Sequence, residues 1–335
     1  MPDRIARLTS PGIGGRVAAG AVVAFLVLFA LHSVVPQPGG PLALTEIAEP
    51  LLVVVALLLV PFGLRQPIGR AAAILLLAFI VVRYGPGLVS VPVAREPAPD
   101  LRVVSWNLRG NATSTTGLLD RLATTDANVV ALQELSREQA AAIEADPGMD
   151  TRFPHRILKP EGRLEMGLLS AFPIVAKATS GDPKTIEAVV DRGALGHLAV
   201  INVHPLPRGI VTAGPIPVGF DGATRDAELA TVRERVDRLA ADGTPVLLVG
   251  DLDLTEREPA YRALADGLLD AQLEVGGGWG GTWRPYPMRQ LSVGLLRIDY
   301  VLSTPDLVPI AFQTDCTPRG GDHCDLWAAL RTTRG

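Results

Sequence analysis

The sequence predicts an α/β domain carried behind a membrane anchor. Three observations predict it. Three apolar stretches precede residue 90, the first of span length and the third short, with Arg side chains at both ends to snorkel. From Leu101 onward, short apolar runs alternate with amphipathic helical stretches. Charge also changes sign between the two parts: residues 1–99 carry seven Arg against four acids, net +3, and residues 100–335 carry 24 bases against 31 acids, net −7. The 335 residues are 48% hydrophobic with a mean hydropathy of +0.28, which excludes a disordered chain, and two Cys exclude a disulfide-stapled mini-scaffold. The acidic larger part counts against a sequence-blind grip on DNA or RNA, which uses a basic surface.

The expected domain plan is a cytoplasmic N-terminus (1–16), a three-span anchor (17–90), a linker (91–99) and a second domain (100–335). Val17–Val35 has no charge and one His, so it meets the length of about 20 apolar residues that a span needs. Ala43–Leu64 is apolar after Glu49, and Ile68–Val82 is apolar apart from Arg70. A cleaved signal peptide would account for the first stretch but not for the two that follow. Arg4, Arg7 and Arg16 precede the first span, and Arg65 and Arg70 lie between the second and third, while the loop between the first and second has no Lys or Arg. The positive-inside rule then puts the N-terminus in the cytoplasm and, with three spans, the second domain outside the cell membrane; a third stretch that was only peripheral would leave that domain in the cytoplasm. Glu46 and Glu49 read as acids in a first helical turn at the outer interface, with Pro50 marking the helix start; functional intramembrane carboxylates are the rival reading. Pro92–Pro99 reads as an extended linker.

In the second domain, strands are expected at Leu101–Trp106, Val129–Gln133, Met166–Ser170, Leu198–Val203, Pro245–Gly250, Arg297–Leu302 and Asp325–Leu330. Helices are expected at Thr116–Thr125, Ser136–Ala145 and Arg225–Ala241. The last has Leu229, Val232, Val236 and Leu239 at helical spacing and Thr224 as its N-cap; Ser136 with Gln139 fits a capping box.

Polar residues collect where the apolar runs end. Asn107 follows Val103–Trp106, Glu134 follows Val129–Gln133, His204 follows Leu198–Val203, and Asp251 and Asp253 follow Val246–Gly250. Asp299 lies in the Arg297–Leu302 run, and Asp322 and His323 precede the last. Taken singly, each reads as a turn residue or helix cap. Together they place carboxylates, an amide and imidazoles on rigid elements, where α/β proteins build sites.

In chain order these segments read VVSWNLRGN, ALQEL, GLLSAFPI, INVHPLP, VLLVGDLDL, GGTW, RIDYVLS and GDHCDL. This series, spanning 101–332, resembles the endonuclease/exonuclease/phosphatase superfamily of metal-dependent phosphoesterases, the deoxyribonuclease I-like fold. With the N-terminal spans, it is similar to a membrane-anchored bacterial branch associated with glycopeptide resistance. The resemblance implies a four-layer sandwich: two mixed β-sheets flanked by helices, here preceded by three transmembrane helices. It implies Mg²⁺ as cofactor, with Mn²⁺ and Ca²⁺ suited to the same hard oxygen ligands. By resemblance Glu134 is the principal metal ligand, supported by Asn107, with Asp322 at or beside the metal. Asp251 would orient or deprotonate the attacking water. His323, held by Asp299, would contact the phosphate, and His204 would donate to the phosphate or the leaving group. Arg109, Arg225 and Trp283 are expected to bind substrate.

Two positions depart from the family pattern. Asp253 stands where Asn is usual, which replaces a donor by an acceptor. It could contact a second metal, be protonated in a crowded cluster, or mark weakened catalysis; the first is favoured because the other positions match. Gly321 stands where Ser is usual. The loops holding Ile210, Val211, Ile216, Val218 and Phe220, and Trp279, Trp283, Tyr286 and Met288, either dip into a bilayer or fold onto the domain. Cys316 and Cys324 flank the GDH motif and would bridge in an oxidising compartment, independent thiols being the alternative; their spacing is not a zinc pattern. The expected function is a membrane-anchored phosphoesterase whose partners are the lipid bilayer and a phosphorylated, lipid-linked substrate. The rivals are an extracytoplasmic nuclease, with Arg109, Arg208, Arg225 and Arg284 as a local basic groove, and an inactive binding module.

Overall fold

The computed structural model describes residues 13–35, 39–88, 98–162, 164–181, 184–286 and 288–333. Residues 1–12 of the expected cytoplasmic N-terminus and 91–97 of the expected linker lie outside them. The chain forms two compact units: one holds the helices up to Leu88 together with Ile210–Phe220, and the other holds the rest.

The first unit contains α1 (Ile13–Val34), α2 (Pro41–Ile47), α3 (Glu49–Gly63) and α4 (Pro67–Leu88). α1 and α4 are long and apolar enough to cross a membrane, whereas α2 and α3 meet at a 74° bend. The anchor therefore has two candidate spans, or three if the bent pair is one. The candidate span Ala43–Leu64 is divided at Ala48, and Pro50 lies in the first positions of α3 as expected, since Pro lacks the N–H that would continue the α2 ladder. Glu49 lies in a first turn, as expected, and both Glu46 and Glu49 are buried among the helices. His32 Nδ1 lies 2.6 Å from Glu49 Oε2, His32 Nε2 lies 3.0 Å from Thr45 Oγ1, and Tyr84 donates to Glu49 Oε1 at 2.9 Å. Such pairing is what a carboxylate requires inside an apolar bundle, here built from Val22, Phe29, Val53, Ala56, Ala72 and Leu76.

The second unit is built from two six-stranded sheets. The first has the order β13-β14-β1-β2-β4-β3, with β1 (Leu101–Asn107), β2 (Val129–Gln133), β3 (His155–Lys159), β4 (Met166–Ser170), β13 (Leu307–Asp315) and β14 (Asp325–Thr332). The other has the order β11-β12-β10-β7-β6-β5, with β5 (Ile174–Gly181), β6 (Lys184–Asp191), β7 (His197–Val203), β10 (Val246–Asp251), β11 (Leu269–Asp270) and β12 (Asp299–Ser303). In each sheet a central parallel pair, β1 with β2 or β7 with β10, is flanked by antiparallel strands.

Both faces of the central strands are apolar, so each sheet is covered twice. One core lies between the sheets and joins Val103, Val129 and Leu168 to Val200, Leu247 and Val301. A second lies under α5 (Thr115–Thr124), α6 (Arg137–Ala145) and α7 (Pro147–Arg152), with Leu118, Leu122, Ile143 and Met149 on Val104 and Val130. The third lies under α8 (Ala223–Ala241) and α9 (Pro259–Ala265), with Leu229, Val232 and Val236 on Ile201 and Leu248. This is the expected helix–sheet–sheet–helix sandwich. Ser136 forms its capping box with Gln139. α8, however, follows Gly222 with no side-chain cap, and Thr224 lies inside its first turn.

Candidate active site

Strand direction brings the polar residues to one edge. β1 and β2 are parallel with Asn107 opposite Gln133, so Asn107 and the following Glu134 emerge side by side. β7 and β10 are parallel with Val203 opposite Gly250, so His204 and Asp251 emerge side by side. β12 and β14 run antiparallel to these pairs, so their N-terminal ends reach the same edge: Asp299 lies opposite Asp251, and Asp322 and His323 precede β14. The close approach of β10 to β7 needs glycine, because a Cβ on Gly250, at φ 142°, would lie 1.9 Å from the Val203 carbonyl oxygen.

Asn107 ties the two sheets together at the site. Its Nδ2 donates to Glu134 Oε1 at 3.0 Å and to Asp251 Oδ2 at 2.8 Å, and its Oδ1 accepts from the Arg109 backbone N–H at 2.8 Å. His323 Nδ1 lies 3.0 Å from Asp299 Oδ2, which leaves Nε2 facing Asp251 Oδ2 at 3.7 Å. His204 Nε2 lies 3.6 Å from Asp253 Oδ2 and 3.9 Å from both Asp251 and Glu134. Trp283 Nε1 donates to Asp322 Oδ2 at 3.2 Å, and the Arg109 guanidinium reaches the same oxygen. Burial, then the charges of Asp253 and Asp299, push the Asp251 carboxyl up to about 8. Burial opposes charge on His323, but Asp299 and Asp251 outweigh it and raise the imidazole to about 10. His204 is raised in the same way, burial being outweighed by Asp253, Asp251 and Glu134. Arg109, Glu134 and Asp253 are held at positive φ (49°, 50° and 52°), a strained conformation that recurs at functional positions.

The sequence from 104 to 323, most of the second unit, matches the model of the Endonuclease/Exonuclease/phosphatase family. The chain belongs to that family. Three solved structures show its fold at low identity. Humanised TDP2 from D. rerio is 18% identical with a TM-score of 0.54, covering 69% of this chain and 99% of its own. The 3′ phosphatase NExo from Neisseria, bound to product DNA hairpin, is 19% identical with a TM-score of 0.54 and the same coverage. A mannosyl-6-phosphatase from Bacteroides thetaiotaomicron is 17% identical with a TM-score of 0.50, again covering 69% and 99%. No curated protein matches this sequence closely enough to count as a relative. Members of the endonuclease/exonuclease/phosphatase family hydrolyse phosphoester bonds, and this edge of the sandwich has the groups for that chemistry.

The residues fit a divalent cation, on which this family typically depends. Two groups, His204–Asp251–Asp253 and Asp251–Asp299–His323, place their ligand atoms within 4.8 Å of one another. Asp322 Oδ1 and His204 Nδ1 are buried without a hydrogen-bond partner among the described residues. An acceptor buried in that way is costly unless a ligand meets it. Carboxylate oxygens dominate the set, as a hard cation requires. Glu134, Asp251, Asp253, Asp299, Asp322, His204, His323, Asn107, Arg109 and Trp283 thus surround one place.

Arg225 is not drawn to the site's surface. It is only 1% exposed and donates to Asp226, to Glu258 and, at 2.7 Å, to the Asp253 carbonyl, so it braces the Asp253 turn from beneath. Arg208 pairs with the same Glu258, and Arg284 is also 1% exposed; of the four arginines of the expected basic groove, three are committed internally. Arg284, expected from the sequence in a basic groove, instead holds the backbone of the loop that carries Asp322 and His323, a role the sequence did not reveal. Its NH1 donates to the carbonyls of Leu291 (2.8 Å) and Cys316 (2.7 Å), and its NH2 to those of Gly321 (3.3 Å) and His323 (3.1 Å). Cys316 and Cys324 are disulfide-bonded around the same loop.

Proposed function

We propose that this chain is a membrane-anchored, Mg²⁺-dependent phosphoesterase that hydrolyses a lipid-linked phosphate ester or pyrophosphate at the outer face of the membrane. The observation that carries the reading is the convergence of five carboxylates and two imidazoles on one sheet edge, in an acidic domain that follows apolar helices. The resemblance to the membrane-anchored branch named above supports the same reading. Outward orientation is supported by Arg16, Arg65 and Arg70 at one end of the helices and by a disulfide, which persists in oxidising compartments.

Glu134 and Asp322 would hold the cation, which when bound neutralises phosphate charge and polarises the phosphoryl oxygen. Asp251, its proton affinity raised to about 8 by burial and the neighbouring carboxylates, orients the attacking water and takes its proton in the ionised fraction, which grows as pH rises toward 8. Asp299 fixes the His323 Nδ1 proton, so Nε2–H points at a phosphate oxygen. His204, raised by Asp253, carries the proton that the leaving oxygen needs. Arg109 and Trp283 frame the phosphate from the Asp322 side.

The test is phosphate release by the full-length protein in detergent with Mg²⁺, comparing polyprenyl pyrophosphate, phospholipids and plasmid DNA. Lipid turnover abolished by Glu134→Ala and His323→Ala is the expected result. DNA nicking without lipid turnover overturns the lipid reading in favour of a nuclease, and silence on all three substrates overturns the enzyme.

A further inference from the structure

We infer that the hairpin formed by β8 (Gly209–Ala213) and β9 (Ile216–Asp221) lies in the headgroup layer of the bilayer that α1 and α4 cross. The inference rests on the proposed membrane anchoring, not on catalysis. Ile210–Phe220 has no charged side chain, and its one hydroxyl is Thr212. Among the described residues, β8 and β9 form a two-stranded sheet of their own and extend neither six-stranded sheet. Ile210, Val211 and Ile216 are 64%, 43% and 63% exposed. An exposed, uncharged apolar segment of this length marks an interaction surface.

The occupant follows from where the hairpin belongs. Although it is encoded inside the second unit, the segment is compact with the N-terminal helices. The Phe220 N–H donates to the Gly39 carbonyl at 2.7 Å, and a Cβ on Gly219 would lie 2.4 Å from that oxygen, so the two backbones touch. Gly39 comes just after α1 ends at Val34. The contact is therefore made at the end of a helix of span length, where hydrocarbon gives way to headgroups. Charge brackets the segment: Arg208 is held by Glu258 before it, and Asp221 caps the Ala223 N–H after it at 3.1 Å. A polar base with an apolar tip is the pattern of an element that rests in the interface.

The described Cys residues are all bridged, so an introduced thiol is labelled alone. Ile210→Cys and Ile216→Cys in the full chain would carry an environment-sensitive fluorophore in phosphatidylcholine/phosphatidylglycerol vesicles. The expected result at both positions is blue-shifted emission, quenching by headgroup-proximal nitroxide lipids and protection from iodide. Quenching by iodide at both positions overturns the inference, as does protection from both quenchers, which would mean a protein occupant. The measurement uses no turnover, so an inactive protein would still report the hairpin's position, and loss of catalysis is distinguishable from loss of this surface.

Discussion

Replacing Arg284 with Met should cripple the loop that holds Asp322 and His323. The side chain donates to four carbonyls, those of Leu291, Cys316, Gly321 and His323, and no carboxylate is among its hydrogen-bond partners. Met keeps most of the buried volume but leaves four acceptors without a donor. At the low end of about 1 kcal/mol for each buried unpaired acceptor, the gross loss is about 4 kcal/mol. Removing a buried charge returns part of that, and burial alone already lowers the Arg284 proton affinity. The net expectation is about 3 kcal/mol, which for a domain of this size lowers the melting temperature by roughly 6–12 °C. A shift of about 1 Å at His323 also costs on the order of 100-fold in turnover. Differential scanning fluorimetry of the full chain in detergent and turnover of any accepted phosphoester read the two effects separately. Arg284→Lys should rescue only in part, since an ammonium cannot span four carbonyls as a planar fork does. An unchanged melting temperature and turnover in the Met variant would refute the reasoning.

Reducing the Cys316–Cys324 disulfide, which closes a loop of sequence separation 8, should cost about 2.5 kcal/mol by the chain-entropy relation and lower the melting temperature on addition of a phosphine reductant. Asp253→Asn should lower the proton affinity of both Asp251 and His204, because Asp253 raises each, and so move both limbs of the pH–rate profile to lower pH; an NMR titration of His204 checks it independently. In EDTA the protein should lose stability as pH rises. Asp251 and His323 hold protons in the folded state up to about 8 and about 10 and release them near 4 and 6.5 when unfolded, so the folded state binds more protons throughout that window. Saturating Mg²⁺ should flatten that decline in a pH series of melting curves, because the ion takes the place of the protons.

The site was legible because its residues follow strong local signals. VVALQ and VLLVGD are unbroken apolar runs, and the turn or end of each supplies Glu134 or Asp251. The sheets' edges were less legible. β13 contains Pro309 beside a register shift, and proline within an apolar run reads against a strand. β5 and β6 carry Lys177, Lys184 and Glu187 on strands toward the sheet edge, where solvent permits charge. Buried arginines were illegible for a different reason. Arg284 is held by carbonyls at 316, 321 and 323, and Arg225 by Glu258, 33 residues away, so nothing near either residue distinguishes it from a surface base. The same holds for Glu49, whose partners His32 and Tyr84 lie 17 and 35 residues away.

These buried cations and the crowded acids answer one another. Burial first, and then the nearby charges of Asp253 and Asp299, keep the proton on Asp251 to about 8. Carboxylates in that state repel, and no arginine aims at them directly: Arg225 meets the Asp253 carbonyl, and Arg284 meets the His323 carbonyl. Arg225 and Arg284 fix the backbone of the acid-bearing turns, while Arg109 meets Asp322 and His323 meets Asp299 at the carboxylates themselves. A guanidinium placed on Asp251 would lower its proton affinity and occupy the oxygens that a divalent ion needs. The fold thus braces the turns from behind, and a divalent cation bound at the front would offset the repulsion among the crowded carboxylates.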